Sequence, residues 1–214
     1  MFIIKKGERK IYSDYFKNDK YWENHINKKI EDNMWIDNYK KYFNQKGKCL
    51  ELGCGVGQYS KRLLELGYDV ISSDISRIAL NEVKKFNKNI LLLDMNSRFP
   101  FNDNTFDLIF ANLSIHYFNN NDTIKLCDEI FRVLNHSGLF VGSVNSFDAF
   151  NFIKDEAIEL EKHFYYYNEK NIRLFDIEDL KKYLEKFEIL ELKKEETIRF
   201  NHKKDYIIFI ASKI

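Results

Sequence analysis

Between positions 51 and 58 the chain reads Glu-Leu-Gly-Cys-Gly-Val-Gly-Gln, with glycine at 53, 55 and 57. A short apolar run from Cys49 to Leu52 enters this stretch, and a segment with Tyr59, Leu63 and Leu66 on one helical face leaves it. The glycines therefore sit where a strand hands over to a helix. Glycine there lets the backbone turn sharply and lets a ligand approach where a Cβ would otherwise stand. The next apolar run, Asp69 to Ser73, ends at Asp74, and a carboxylate at that point of the following strand can accept hydrogen bonds from ribose hydroxyls. Bend and acid together point to a cofactor built on a nucleoside. A dinucleotide loop starting at Gly53 would carry glycine or alanine at 58, where this chain has Gln58. The acidic Glu51 beside the bend suits a ligand with an amino acid tail better than one with a pyrophosphate. Simple tight packing would also explain a glycine bend, and an aspartate at 74 would also cap the helix that follows.

These residues need a scaffold, and the apolar pattern describes one. From Lys48 onward short apolar runs alternate with helical segments, the mark of a parallel sheet with crossover helices. The expected strands are Cys49 to Leu52, Asp69 to Ser73, Asn89 to Leu93, Phe106 to Ala111 and Leu139 to Val144. The third closes on Asp94, and the fourth exits through Asn112, Ser114 and His116. The helix after the fourth carries Ile124, Cys127, Ile130, Phe131 and Leu134 on one face, and Ser137-Gly138 reads as its stop and turn. Before the sheet, Trp22, Ile26 and Ile30, then Trp35, Tyr39, Tyr42 and Phe43, recur at helical spacing. Residues 146 to 175 read as aromatic and irregular, so some of their rings could line an acceptor pocket. Asp176 then suits a helix cap, with Asp179 in the capping-box position and Leu180, Tyr183, Leu184 and Phe187 as the buried stripe. Two final strands are expected near Glu188 to Leu192 and Asp205 to Ala211.

The order Glu51-Leu52-Gly53-Cys54-Gly55-Val56-Gly57, Asp74, Asp94-Met95 and Phe106 through Phe118 resembles the class I S-adenosylmethionine-dependent methyltransferases, most closely their small-molecule branch. The resemblance covers residues 46 to 145 and, loosely, the last strands. It implies an α/β, Rossmann-like three-layer sandwich with a seven-stranded, mostly parallel sheet whose last strand is antiparallel. It also implies an enzyme that transfers a methyl group from S-adenosylmethionine, leaving S-adenosylhomocysteine. Carried over by position, Gly53, Gly55 and Gly57 border the methionine portion, Glu51 helps hold its ammonium and Asp74 binds ribose. Asp94 accepts from the adenine amino group, Met95 packs on the ring, and Asn112 lies beside the sulfonium. Asp94 would serve equally well as a helix cap or in a turn. His116 is a catalytic base if the acceptor must lose a proton, and a pocket-lining residue otherwise. No metal is implied.

At 214 residues the chain fits one domain. Its divisions are a helical arm at 1–45, a cofactor-binding core at 46–145, an aromatic substrate-side insertion at 146–175, and a C-terminal helix and strands at 176–214. A formal net charge of +1 gives no field to draw the protein onto nucleic acid or an acidic membrane. The fourth strand's exit lacks the Asn/Asp-Pro-Pro-Tyr/Phe signature of base-modifying amino methylases, and the only proline is Pro100. The expected partner is thus a small molecule, with a protein or nucleic-acid acceptor, or a module that binds the cofactor without catalysis, as alternatives. Cys49, Cys54 and Cys127 form no C-x-x-C pair and are expected as reduced thiols. With only four apolar residues before the first charges and no run of about 20 apolar residues, a cytoplasmic location is expected.

Overall fold

The alternation along the first strand explains how the sheet is covered on both faces. In the computed structural model, which describes residues 17–26, 34–43, 46–199 and 202–214, β1 (Lys48–Leu52) turns Leu50 and Leu52 into one apolar core and Cys49 into another. Successive side chains of a strand point to opposite faces, so a strand buried on both sides must be apolar at both parities. Around β1 the sheet runs β3-β2-β1-β4-β5-β10-β9, with β2 (Asp69–Asp74), β3 (Ile90–Leu92), β4 (Phe106–Asn112) and β5 (Leu134–Asn145). These five pair in parallel, whereas β10 (His202–Ser212) runs antiparallel to both β5 and β9 (Glu188–Arg199). The expected seven strands and the antiparallel last strand are both present. Strand order reverses between β1 and β4, and open α/β sheets place ligands outside the carboxyl ends of the strands at such a switch.

Helices complete the three layers. On one face Leu63 of α1 (Gln58–Glu65) packs with Trp35, Ile36 and Tyr39 over Val70, Leu108 and Phe110. On the other, Leu126 and Ile130 of α3 (Asn120–Val133) and Leu180 of α4 (Ile177–Tyr183) cover Leu50, Ile109, Phe140 and Phe209. Helix α2 (Arg77–Val83) starts where Ser76 accepts a hydrogen bond from Ala79 N–H, a regular N-cap, and Asp176 caps α4 through Asp179 N–H. No helix among the described residues is long and apolar enough to cross a membrane.

Several elements differ from the sequence reading. Residues 17–23 are helical as expected, while Ile30 and residues 1–16 lie outside the described ones. Trp35–Tyr42 forms a kinked 3-10 helix in place of a regular α-helix, with non-helical backbone at Tyr39. Leu134 leaves the helix as the first residue of β5, and Ser137 takes a positive φ of 60° inside that strand. The stretch expected to be irregular contains a 3-10 turn (Phe147–Phe152) and a three-stranded antiparallel sheet of β6 (Ile158–Glu161), β7 (Phe164–Tyr167) and β8 (Lys170–Arg173). Asn168 and Glu169 join β7 to β8 with φ of 48° and 59°, the two-residue turn whose twist matches a hairpin.

Candidate cofactor site

The bend between β1 and α1 is built from three left-handed glycines, with φ of 70° at Gly53, 53° at Gly55 and 83° at Gly57. Space demands glycine as much as conformation does. A Cβ on Gly53 would stand 2.5 Å from Cβ of Ser114, and one on Gly55 would stand 2.6 Å from the Trp22 ring. Ser114 belongs to the exit of β4, where its hydroxyl donates to Leu52 O at 2.7 Å, so the ends of β1 and β4 are tied directly beneath the bend. The residue before it, Leu113, holds a positive φ of 49°, an uncommon conformation for a large side chain.

Asp74 closes the other side. Its Oδ2 accepts Gly55 N–H at 2.8 Å and its Oδ1 accepts Ser76 N–H at 2.8 Å, so bend and acid form one unit. A carboxylate has about four acceptor directions, so acceptor capacity remains for a ligand beside these backbone N–H groups. Burial pushes the Asp74 carboxyl above its ordinary value, and the N–H groups of Ser76, Gly55 and Ile75 pull against that. Vicinal hydroxyls need such acceptors, so this donor and acceptor set fits a ribose.

The remaining expected residues gather around this pair to different degrees. Asp94 is half-buried past the end of β3 and accepts Asn96 N–H at 2.9 Å, which is a turn role with no helix following. Met95 reaches the bend, its Cε lying 3.7 Å from the space a Gly53 Cβ would fill. Asn112 ends β4, and its Oδ1 accepts both the Trp35 indole N–H at 2.8 Å and the Ser143 hydroxyl at 2.7 Å. That fixes the amide's orientation and leaves its NH2 group as the donor for a ligand. His116 is buried in the 3-10 turn Ile115–Tyr117, its ring 4.2 Å from that of Tyr117.

Glu51 sits differently from the other residues. Its side chain turns to the α1 face, where the Ser60 hydroxyl donates to its carboxylate, and only 2% of the residue is exposed. Burial pushes its carboxyl up to about 7, against the Ser60 and Ser72 hydrogen bonds that lower it, and the charge of Asp74 adds to the rise.

Two contributors escaped the sequence reading. Asp19 Oδ1 accepts the Ser76 hydroxyl at 2.6 Å and Ile78 N–H at 3.3 Å, and Trp22 covers Gly55, so the helical stretch at 17–23 lies over the bend. The neighbouring Tyr21 lies beneath Lys170, whose Nζ is 3.9 Å from the ring centroid. Helical spacing was the available signal, but it cannot say what an amphipathic face covers.

Elsewhere, His163, Asp176 and Asp179 offer ligand atoms within 4.8 Å of one another. The His163 ring nitrogen is 2.7 Å from Asp179, and Lys162 and Lys182 lie 3.9 and 3.4 Å from it, so two lysines already serve that carboxylate. A cleft of about 550 Å³ opens between α3, α4 and the small sheet, lined by Ile124, Glu161, Arg173, Tyr183 and Phe187 among others. It shares none of the residues that surround the bend.

A family model described as a methyltransferase domain matches residues 50–142, the span from β1 into β5. Residues 50–142 thus resemble a methyltransferase domain, and they hold the bend, Asp74 and the end of β4. Over 117 residues the chain is 33% identical to malonyl-[acyl-carrier protein] O-methyltransferase of Buchnera aphidicola, an alignment covering 54% of this chain and 45% of that protein. It is 28% identical over 180 residues to glycine/sarcosine N-methyltransferase of Aphanothece halophytica, covering 75% and 65%. The chain thus spans less than half the length of the first of these relatives. The solved 1,6-didemethyltoxoflavin-N1-methyltransferase of Burkholderia thailandensis, with bound 1,6-didemethyltoxoflavin and S-adenosylhomocysteine, superimposes with a TM-score of 0.72. That match covers 100% of this chain and 92% of the other at 15% identity, a likeness of fold.

Proposed function

We propose that this chain transfers the methyl group of S-adenosylmethionine to nitrogen or oxygen of a small-molecule acceptor. The observation that carries the reading is the joint grip of Gly55 and Asp74, a bend without room for a Cβ bonded to an acid with acceptor directions to spare. Gly53, Gly55 and Gly57 would border the methionine portion, and Asp74 would take the ribose hydroxyls. Asp94 and Met95 would meet the adenine. Asn112, its oxygen held by Trp35 and Ser143, would present its amide hydrogens near the sulfonium end. Support for a small acceptor comes from the name of one relative, glycine/sarcosine N-methyltransferase.

The cofactor supplies an activated methyl group, and the protein supplies alignment and a fixed electrostatic setting. Holding both reactants in attack geometry removes about 7 to 11 kcal/mol of barrier, so a base is needed only where the acceptor must shed a proton. His116 is the proposed base in that case. Incubation with S-adenosylmethionine and a metabolite library, followed by mass spectrometry, should reveal a small molecule heavier by one methyl. Label appearing only on proteins or nucleic acids would overturn the acceptor class. Stabilisation by NAD with indifference to S-adenosylhomocysteine would overturn the cofactor.

A further inference from the structure

Glu51 ends a directed chain of hydrogen bonds that runs across the sheet on its α1 side. Asn87 Nδ2 donates to the Ser72 hydroxyl at 3.1 Å, Ser72 donates to the Ser60 hydroxyl at 2.9 Å, and Ser60 donates to the Glu51 carboxylate. All four residues are buried. Each lies on a different element: Glu51 on β1, Ser60 on α1, Ser72 on β2 and Asn87 after α2. The register explains why they meet, because Glu51 pairs with Ser72 on one side and with Phe110 on the other, and side chains paired in register share a face. The main chain is fixed as well, since the Ser73 hydroxyl donates to Glu51 O at 2.6 Å.

The two middle members of this chain lead to the two halves of the cofactor grip. Ser60 stands three residues after Gly57, so holding Ser60 holds the exit of the bend. Ser72 stands two residues before Asp74, so holding Ser72 holds the acid. We propose that Glu51 is a positioning residue: through Ser60 and Ser72 it keeps helix α1 and strand β2 in the register that lets Gly55 and Asp74 act together on the nucleoside. This rests on reading the bend as the S-adenosylmethionine site. It assigns Glu51 to the scaffold of the site and away from direct contact with the cofactor's ammonium.

The surroundings of Glu51 make the device sensitive to protons. The elements packed against it offer Ser60 from α1, Ser72 from β2 and Phe110 from β4, and the ionisable groups around it are Cys49, Cys54 and Asp74. None of these carries positive charge, so the ionised form depends on hydroxyl donors alone. A hydrogen bond to an ionised acceptor is stronger than one to a neutral one, so the chain tightens when Glu51 loses its proton.

The test is calorimetric and uses two probes, S-adenosylhomocysteine and 5′-methylthioadenosine, which lacks the amino acid tail. Wild type, Ser60→Ala and Glu51→Gln are titrated from about pH 5.5 to about pH 8.5. The expected result is that Ser60→Ala weakens both probes by roughly tenfold, the size of one charge-assisted hydrogen bond. Wild-type affinity for both should rise as pH passes neutrality, and Glu51→Gln should flatten that profile. A loss confined to S-adenosylhomocysteine would make Glu51 a direct ligand of the ammonium and overturn the inference, as would unchanged affinity in Ser60→Ala. Wild-type protein that binds neither probe would instead overturn the reading of the bend itself, and the inference with it.

Discussion

Replacing Glu51 by Gln should stabilise the protein in a pH-dependent way that can be worked out beforehand. Burial raises this carboxyl from 4.5 to about 7, while the hydroxyls of Ser60 and Ser72 only partly offset the rise. In the unfolded chain the same group ionises near its ordinary value. Between those two values the folded protein holds a proton that the unfolded chain has released, so stability falls as pH rises through the window and levels off above it. At about 1.36 kcal/mol per unit, the difference between variant and wild type should grow by about 2.5 kcal/mol from about pH 5 to about pH 8. Urea unfolding of both proteins without ligand across that range measures it, and every group they share cancels in the difference. Glutamine keeps an acceptor for Ser60, so the offset between the curves is set by packing and their divergence by the proton. Parallel curves, or a variant that loses ground as pH rises, would show that Glu51 is ionised at no unusual cost and would refute the reasoning.

Three further outcomes follow from the site and its supports. Asp74→Asn should abolish the thermal shift given by S-adenosylhomocysteine, because an amide cannot serve Gly55 N–H, Ser76 N–H and ribose hydroxyls together; a full shift would remove Asp74 from the grip. Gly53→Ala should cost roughly 2 kcal/mol or more in urea unfolding and lose cofactor affinity, since the new Cβ meets Ser114 at 2.5 Å in a left-handed backbone. Lys213→Met should cost about 2 to 4 kcal/mol in the same assay, because Nζ donates to Phe131 O at 2.7 Å and to Leu134 O and Asn104 Oδ1 at 2.8 Å, and methionine leaves two carbonyls in the interior without it.

Much of this architecture could be read from local pattern because it is set locally. The runs of β1, β2 and β4 are short and bounded, and the bend is a glycine requirement within eight residues. What could not be read depends on distance or on an unusual turn. The β7–β8 hairpin was missed because its positive-φ turn uses Asn168 and Glu169, with no glycine to mark it. The partnership of Trp35 with Asn112 spans 77 positions, and the cover of Trp22 over Gly55 pairs a helical stripe with a face that no periodicity identifies.

Glu51 is the instructive middle case, since its placement was available in principle. Residues of like parity on a strand share a face, so Glu51 goes with Cys49, on the side opposite Leu50 and Leu52. On α1, Ser60 and Leu63 are three apart and share the inward stripe, and Leu63 packs in the same cluster as Cys49. Those two periodicities already aim Glu51 at Ser60 beneath the sheet's helix layer. A motif describes Glu51 by its neighbours in sequence, next to the glycines and hence next to the ligand. The pleat turns it away from Leu50 and Leu52 and toward Ser60, because in a strand the adjacent residue points the other way.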